Sequence, residues 1–323
     1  MKALVTGATG FLGSHLVDLL ASEGHEVRCL VRPSSNLRWL KAKNVRLFEG
    51  DLKPNDDGLM EACQGIDWFF HVAGLISTAD PKQYYQVNVG GTRFCLEAVQ
   101  KNAPQLKRFV LVSSIAAAGP SDEKINEAMP CRPLTDYGKS KLESEKIALS
   151  FKNQFPISII RPPAIYGPRD VMIYPVFKMA KKGFFILPAG DKQKITMAYV
   201  EDVARACYWA AQEKRAIGET FFICDGDIYH WSDIADSLAQ VFYHKIIRVP
   251  VFKTLLWPIA TLEEWRASLM KTTPKIHRGH VRQFFRSWKI DCSKIKAAGF
   301  QPKYHLEEGM KATVAGYRQI GWL

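Results

Sequence analysis

The chain has 323 residues, 47% apolar and 24% charged. That is enough for one large domain or two coupled ones, and it excludes a disordered or low-complexity polypeptide. The net charge of +12 means either a solvated basic surface or an acidic partner such as a phosphorylated cofactor, an anionic substrate or an anionic membrane face.

No nucleic-acid partner is expected, because no zinc-finger, basic-zipper or RNA-recognition pattern is present. No stretch reaches the roughly 18 apolar residues of a membrane span, and the apolar run at 1–7 is too short for a signal peptide. The seven cysteines (29, 63, 95, 131, 207, 224 and 292) are scattered and form no C-x-x-C. Neither a metal site nor a disulfide framework is therefore expected, and a reducing cytoplasm is the simplest location.

From the N-terminus, a β-rich run at 2–6 leads into Gly7-Ala8-Thr9-Gly10-Phe11-Leu12-Gly13, which opens a helical stretch at 11–23. Glycines at this spacing let the backbone turn tightly and approach a pyrophosphate, and the helix start adds free N–H groups and a positive dipole end. Strand before and helix after is the context of a dinucleotide fingerprint. Gly7, Thr9, Gly10, Phe11, Leu12 and Gly13 are the expected cofactor contacts; the alternative is a glycine-rich turn with no ligand. The next strand, 26–31, usually ends in an acid when NAD is bound. Here 29–38 reads CLVRPSSNLR. Arg32 stands near the acid's place and, with Arg38, suits a 2′-phosphate, so NADP is favoured over NAD unless both arginines are merely solvated. A third strand at 45–49 ends in Gly50-Asp51-Leu52, where Asp51 either accepts from an adenine amino group or serves the turn. Strands at 67–71, 107–112 and 156–160 alternate with helical stretches at 55–63, 82–102 and 139–153. The pattern implies an α/β fold, a Rossmann-type doubly wound parallel sheet.

The run at 107–112 ends in Ser113 and Ser114, and Tyr137-Gly138-Lys139-Ser140-Lys141 opens the helix that follows. Tyr137 and Lys141 are i and i+4 and share a helix face. A nearby ammonium favours phenolate, lowering the tyrosine pKa from about 10. A tyrosine so tuned passes a proton to or from a substrate oxygen, which Ser114 would orient. The plain alternatives are an exposed helix tyrosine and serines that cap the next segment. A second Y-x-x-x-K, Tyr174 to Lys178, is set aside because Pro175 disfavours helical geometry at the tyrosine before it. Residues 162–195 read as loops around one helix, Val200–Gln212 as a helix and 220–224 as a strand. The expected organisation is a dinucleotide-binding domain of 1–166, with 196–225 returning to it. A smaller, mostly helical substrate lobe of 167–195 and 226–323 is expected over the carboxyl edge of the sheet.

Together these residues resemble the extended short-chain dehydrogenase/reductase family, also called the epimerase/dehydratase family. The matching stretches are TGATGFLG (6–13), GDL (50–52), HVAG (71–74), NVGGT (88–92), VSS (112–114), YGKSK (137–141), RPPAIYGP (161–168) and YVEDVARA (199–206). The resemblance implies a catalytic Ser114, Tyr137 and Lys141, with Asn88 steadying the lysine through the active-site helix. It implies cofactor contacts at the glycine loop, Asp51, Leu52, Ala73, Ser113, Tyr137, Lys141, Pro162 and Ile165. Nucleotide-sugar members usually carry an Asn where Met172 stands here, and the spacing of Arg32 and Arg38 is similar to dihydroflavonol reductases. The C-terminal lobe is similar in style to 3β-hydroxysteroid dehydrogenase-like members.

In that lobe 246–262 is strongly apolar, and 266–289 holds seven Lys/Arg and no Asp or Glu. The stretch 246–289 reads as a peripheral membrane contact, as a cover over an apolar substrate, or as plain core with a solvated basic face. The expected activity is an NAD(P)-dependent oxidoreductase moving hydride between nicotinamide and a carbonyl or alcohol of a fairly apolar small molecule. Its pocket would be lined from 164–187 and 246–262. The alternatives are a nucleotide-sugar epimerase or dehydratase and a non-catalytic NADP-binding protein. A homodimer is expected through 82–102 and 139–153, where Val87, Phe94, Leu96 and Val99 exceed what one helix face needs; the alternative is that all four are core.

Overall fold

A computed structural model describes residues 1–41, 44–78, 80–270, 272, 274 and 276–323. The chain runs β1 (Lys2–Thr6), α1 (Phe11–Ser22), β2 (Glu26–Val31), β3 (Arg46–Glu49), α2 (Asp57–Ala62) and β4 (Trp68–His71). Then α3 (Pro81–Tyr84), a π-helical turn (Tyr85–Gly90) and α4 (Gly91–Asn102) follow one another without a break. Next come β5 (Arg108–Val112), α5 (Ile115–Ala118), β6 (Ser121–Ile125), α6 (Asp136–Ser150), β7 (Ile157–Arg161) and β8 (Ala164–Tyr166). After α7 (Tyr174–Lys181), β9 (Phe184–Pro188), β10 (Lys194–Ile195) and β11 (Met197–Tyr199), the chain returns through α8 (Val200–Gln212) and β12 (Thr220–Phe222). The remainder is β13 (Tyr229–His230), α9 (Trp231–Phe242), β14 (Ile247–Val251), α10 (Lys253–Leu269), α11 (Arg278–Phe284), β15 (Trp288–Ile290), α12 (Ser293–Ala297) and α13 (Leu306–Gln319).

Seven parallel strands form the main sheet in the order β12-β7-β5-β4-β1-β2-β3, the Rossmann-type arrangement expected from the alternation. Every residue of β5 and β7 is buried, which is why these runs are nearly unbroken in Val, Ile, Leu and Phe rather than alternating. The core lies in two layers. Leu16, Val17, Leu20, Val203 and Cys207 fill the face under α1 and α8, and Leu59, Leu96, Val99 and Ala148 fill the face under α2, α4 and α6. The strand order reverses between β1 and β4, and such a switch point is where ligands bind in open α/β sheets.

Several elements depart from the sequence reading. Helix α6 begins at Asp136, three residues early, because Thr135 caps it: Thr135 Oγ1 accepts the Gly138 N–H at 3.2 Å. The stretch 162–195 contains β8, β9 and β10 beside its helix. Helix α7 starts at Tyr174 itself, because Pro175 sits in the first turn, where a missing N–H costs nothing. Tyr174 and Lys178 do share a helix, with the Lys178 ammonium 5.6 Å from the ring. The Tyr174 hydroxyl, however, donates to the Trp322 carbonyl. The membrane-contact stretch 246–289 is described except for Lys271, Thr273 and Lys275, which lie outside the described residues. Among the described residues no helix is long and apolar enough to cross a membrane.

Candidate active site

The glycine turn lies at the carboxyl end of β1, beside the switch point. Gly7 has φ +72°, and a Cβ there would fall 2.7 Å from the Ala73 nitrogen; a Cβ on Gly13 would fall 2.1 Å from the Gly7 carbonyl oxygen. Side chains are therefore excluded where the end of β1, the start of α1 and the loop after β4 meet. No side chain caps α1, so its first N–H groups remain for an anion. Thr9 and Phe11 are half-buried and Leu12 is buried in the core. This cradle fits a dinucleotide pyrophosphate on steric and electrostatic grounds.

Arg32 is held at the end of β2 by a turn in which its N–H donates to Ser35 Oγ at 3.0 Å. Its side chain is exposed, and among the described residues it has no charge partner. Arg38 goes elsewhere: its guanidinium lies 4.4 Å from the Trp39 ring and 5.0 Å from that of Trp322. Asp51 accepts the Leu52 N–H at 2.9 Å and faces the Lys53 ammonium at 3.4 Å, so the turn role is present, with the carboxylate still half-buried.

Ser114 ends the extension of β5 and caps α5, its Oγ accepting the Ala116 N–H at 3.1 Å. The same hydroxyl also acts on the Tyr137 phenol, pulling its pKa down. The capping role is therefore present. Burial raises the Tyr137 pKa above its ordinary value, Ser114 opposes this, and Tyr84, whose ring lies 5.9 Å away, adds to it. The expected lowering by Lys141 is not what governs the phenol here. One turn along, the Lys141 ammonium donates to the Val112 carbonyl at 2.6 Å. Burial lowers its pKa to about 8, with Glu145 opposing. Asn88, on the π-helical turn, donates through Nδ2 to Ser140 Oγ at 3.0 Å and to the Leu75 carbonyl at 3.1 Å, while Oδ1 accepts the Leu75 N–H at 2.7 Å. It therefore clamps the residue before Lys141 to the loop after β4. A Cβ on Gly74 would sit 3.3 Å from Asn88 Oδ1 and 3.7 Å from Lys141 Nζ, so these groups converge on one spot.

Ser113 does not present its side chain to this spot. Its hydroxyl donates to Glu145, and its N–H donates to the Ile160 carbonyl at 2.8 Å. Glu145 in turn takes a two-point bond from Arg161, at 2.8 and 2.6 Å, both side chains at most 7% exposed. Burial alone would depress the Arg161 pKa, but the Glu145 carboxylate outweighs it and raises it. Neither Glu145 nor Arg161 was singled out as a charge pair from the sequence; sixteen residues apart on different elements, they leave no local signal. Pro162 is buried, its carbonyl accepting the Ile115 N–H at 2.9 Å, and Ile165 is half-buried on β8. From the C-terminal lobe it is α11 that lies on the start of α6: Gln283 Nε2 donates to Thr135 Oγ1 at 3.3 Å. The expected pocket wall at 246–262 instead exposes Ile247, Val249, Leu255, Ile259 and Leu262.

Residues 3–224 match the model of the NAD dependent epimerase/dehydratase family. Ceramide reductase of Caulobacter vibrioides is 32% identical over 323 residues, spanning 99% of this chain and 95% of that protein. The human sterol-4-alpha-carboxylate 3-dehydrogenase, decarboxylating, is 25% identical over 341 residues, spanning 99% of this chain and 89% of that protein. The structure of UDP-glucuronic acid 4-epimerase from Bacillus cereus in complex with NAD superposes with a TM-score of 0.79 at 23% identity over 100% of both chains, a likeness of fold.

Proposed function

This chain belongs to the NAD-dependent epimerase/dehydratase family, and from that premise we propose that it is an oxidoreductase acting on the carbonyl/alcohol pair of a fairly apolar small molecule. One observation carries the reading: the buried Tyr137, with Ser114 acting on its phenol, stands with Lys141 at the carboxyl end of β5, next to a turn built for a dinucleotide. When bound, the nicotinamide supplies or accepts the hydride. The protein's share is to hold the substrate oxygen and move its proton. Ser114 Oγ holds that oxygen. The Tyr137 hydroxyl gives it a proton during reduction and takes one back during oxidation, a role worth roughly 10²–10⁴-fold. The Lys141 ammonium, held against Val112 and steadied through Asn88, favours the phenolate left behind. The free guanidinium of Arg32 supports NADP over NAD.

Two relatives are named for ceramide and for a sterol carboxylate, which favours a lipid-like ketone or alcohol. The Met172 side chain, exposed where nucleotide-sugar members place an Asn, adds no donor for a diphosphate. The test is a panel of long-chain oxo-lipids, steroid ketones and UDP- or dTDP-sugars incubated with enzyme and NADPH. NADPH consumption matching alcohol formation from a lipid-like ketone is the expected result. Conversion of a sugar with no net NADPH change would instead make the protein an epimerase.

A further inference from the structure

Helix α10 is apolar on its outside. Its inner face, where Ala260 and Ala267 are buried, packs on α11: the Arg278 guanidinium is 2.7 Å from the Glu264 carboxylate, and that of Arg282 lies 5.5 Å from the Trp257 ring. The opposite face carries Leu255, Ile259, Leu262, Trp265 and Leu269, each between 48 and 64% exposed. Their spacing aligns them along one side of a 3.6-residue helix. The N-cap, Phe252, extends the row at 61% exposed. Immediately before it, the β9/β14 ribbon turns one face outward, pairing Ile247 with Phe184 and Val249 with Ile186, all four exposed. Isolated apolar side chains are ordinary on a surface, but a continuous row this long marks a contact.

Charge identifies what it contacts. Residues 245–289 hold ten Lys/Arg against two Asp/Glu, so eight of the twelve net positive charges fall in this stretch. Both acids are already bonded, Glu263 to Arg266 and Glu264 to Arg278. We propose that this face docks on an anionic lipid bilayer, with the apolar row among the acyl chains and the basic residues against the headgroup phosphates. At 17 residues the helix is shorter than the roughly 20 that a span needs, so it lies in the interface and does not cross it. A second copy of the chain is the poorer occupant, since two such faces would oppose a net excess of like charge.

The test uses the full chain and sedimentable vesicles of phosphatidylcholine alone or mixed with phosphatidylglycerol. The protein should sediment with the mixed vesicles and not with phosphatidylcholine, and its partition should fall at least about tenfold when salt is raised from about 0.1 to about 1 M. Leu255→Glu with Leu262→Glu should abolish binding while leaving the melting temperature and the cofactor titration as in wild type, since both side chains are more than half exposed. Trp265 gives a second readout: a blue shift of emission with mixed vesicles that Trp265→Phe removes. No sedimentation at low salt, equal binding to both vesicle types, or undiminished binding of the double variant would each overturn the proposal. So would a wild-type dimer that the double variant turns into a monomer, which would assign the row to a second copy.

Discussion

Replacing Tyr137 by phenylalanine removes the hydroxyl on which Ser114 acts and leaves the ring against Tyr84. Turnover should fall by roughly 10²–10⁴-fold, and cofactor affinity measured by fluorescence titration should stay within error of wild type. A variant that keeps its rate would remove Tyr137 from the chemistry. Arg32→Asp tests the cofactor preference. An exposed guanidinium with no internal partner is replaced by a carboxylate that repels a 2′-phosphate, so NADP affinity should drop far more than NAD affinity. Equal losses in parallel titrations would mean that Arg32 does not read the phosphate. Lys141 gives a pH signature. Its folded pKa of about 8 lies below the roughly 10.4 of an unfolded lysine. Across that window the unfolded chain holds more protons, so the residue's contribution to stability rises as pH rises, by up to about 3 kcal/mol. The proposed role of Lys141 needs the ammonium, so turnover should move the other way, falling above pH 8. Melting curves of cofactor-free wild type and Lys141→Met should therefore shift relative to each other between about pH 8 and 10. Parallel curves would mean that burial leaves this lysine unperturbed.

At the scale of elements, α6 is fixed on both sides of Tyr137 and Lys141, by the Thr135 cap before Tyr137 and by Glu145 after Lys141. Glu145→Ala would leave the buried Arg161 guanidinium without its carboxylate, which costs roughly 3–5 kcal/mol. A denaturation midpoint within error of wild type would show the pair to be dispensable. The same elements show what a linear reading can and cannot see. Strands β1, β2 and β5 and helix α8 fall within a residue of expectation, because buried parallel strands and an amphipathic helix write their burial directly into apolar runs. The sequence pattern puts the start of α6 three residues late although Thr135-Asp136 is a capping signal in plain view. The continuous helix expected at 82–102 contains a π-helical turn, and that turn is what aims Asn88 at Ser140 and Leu75. The C-terminal lobe was least legible. Its strands β10, β13 and β15 are two or three residues long, too short to show a period. The apolar positions of α10 face outward, so the usual inference from apolar to buried runs backwards there.

For the whole molecule, the expected dimer loses part of its sequence rationale, because Leu96 and Val99 fill the chain's own core while Val87 remains exposed and Phe94 half-buried on the same helical rod. We still expect self-association through the α4–α6 face. Light scattering at micromolar protein should return twice the chain mass, and Val87→Glu with Phe94→Glu should halve it; a monomeric wild type removes the idea. The way the main sheet is closed also bears on how the protein is made. Its edge strand β12 is supplied by residues 220–222, after an excursion through the lobe. The Arg108 guanidinium on β5 meanwhile finds its acceptors on the Ala210 and Glu213 carbonyls at the end of α8. A ribosome that has released only the first 166 residues has delivered six of the seven strands. It has also delivered a positive charge in the sheet that has Ser158 Oγ at 2.9 Å but still lacks the two carbonyl acceptors of α8, and an open flank on β7. Such a nascent chain presents the hazards of an unpaired strand edge. Its sheet can close only when translation has passed residue 222, and a stall before that point would leave a species for chaperones to hold.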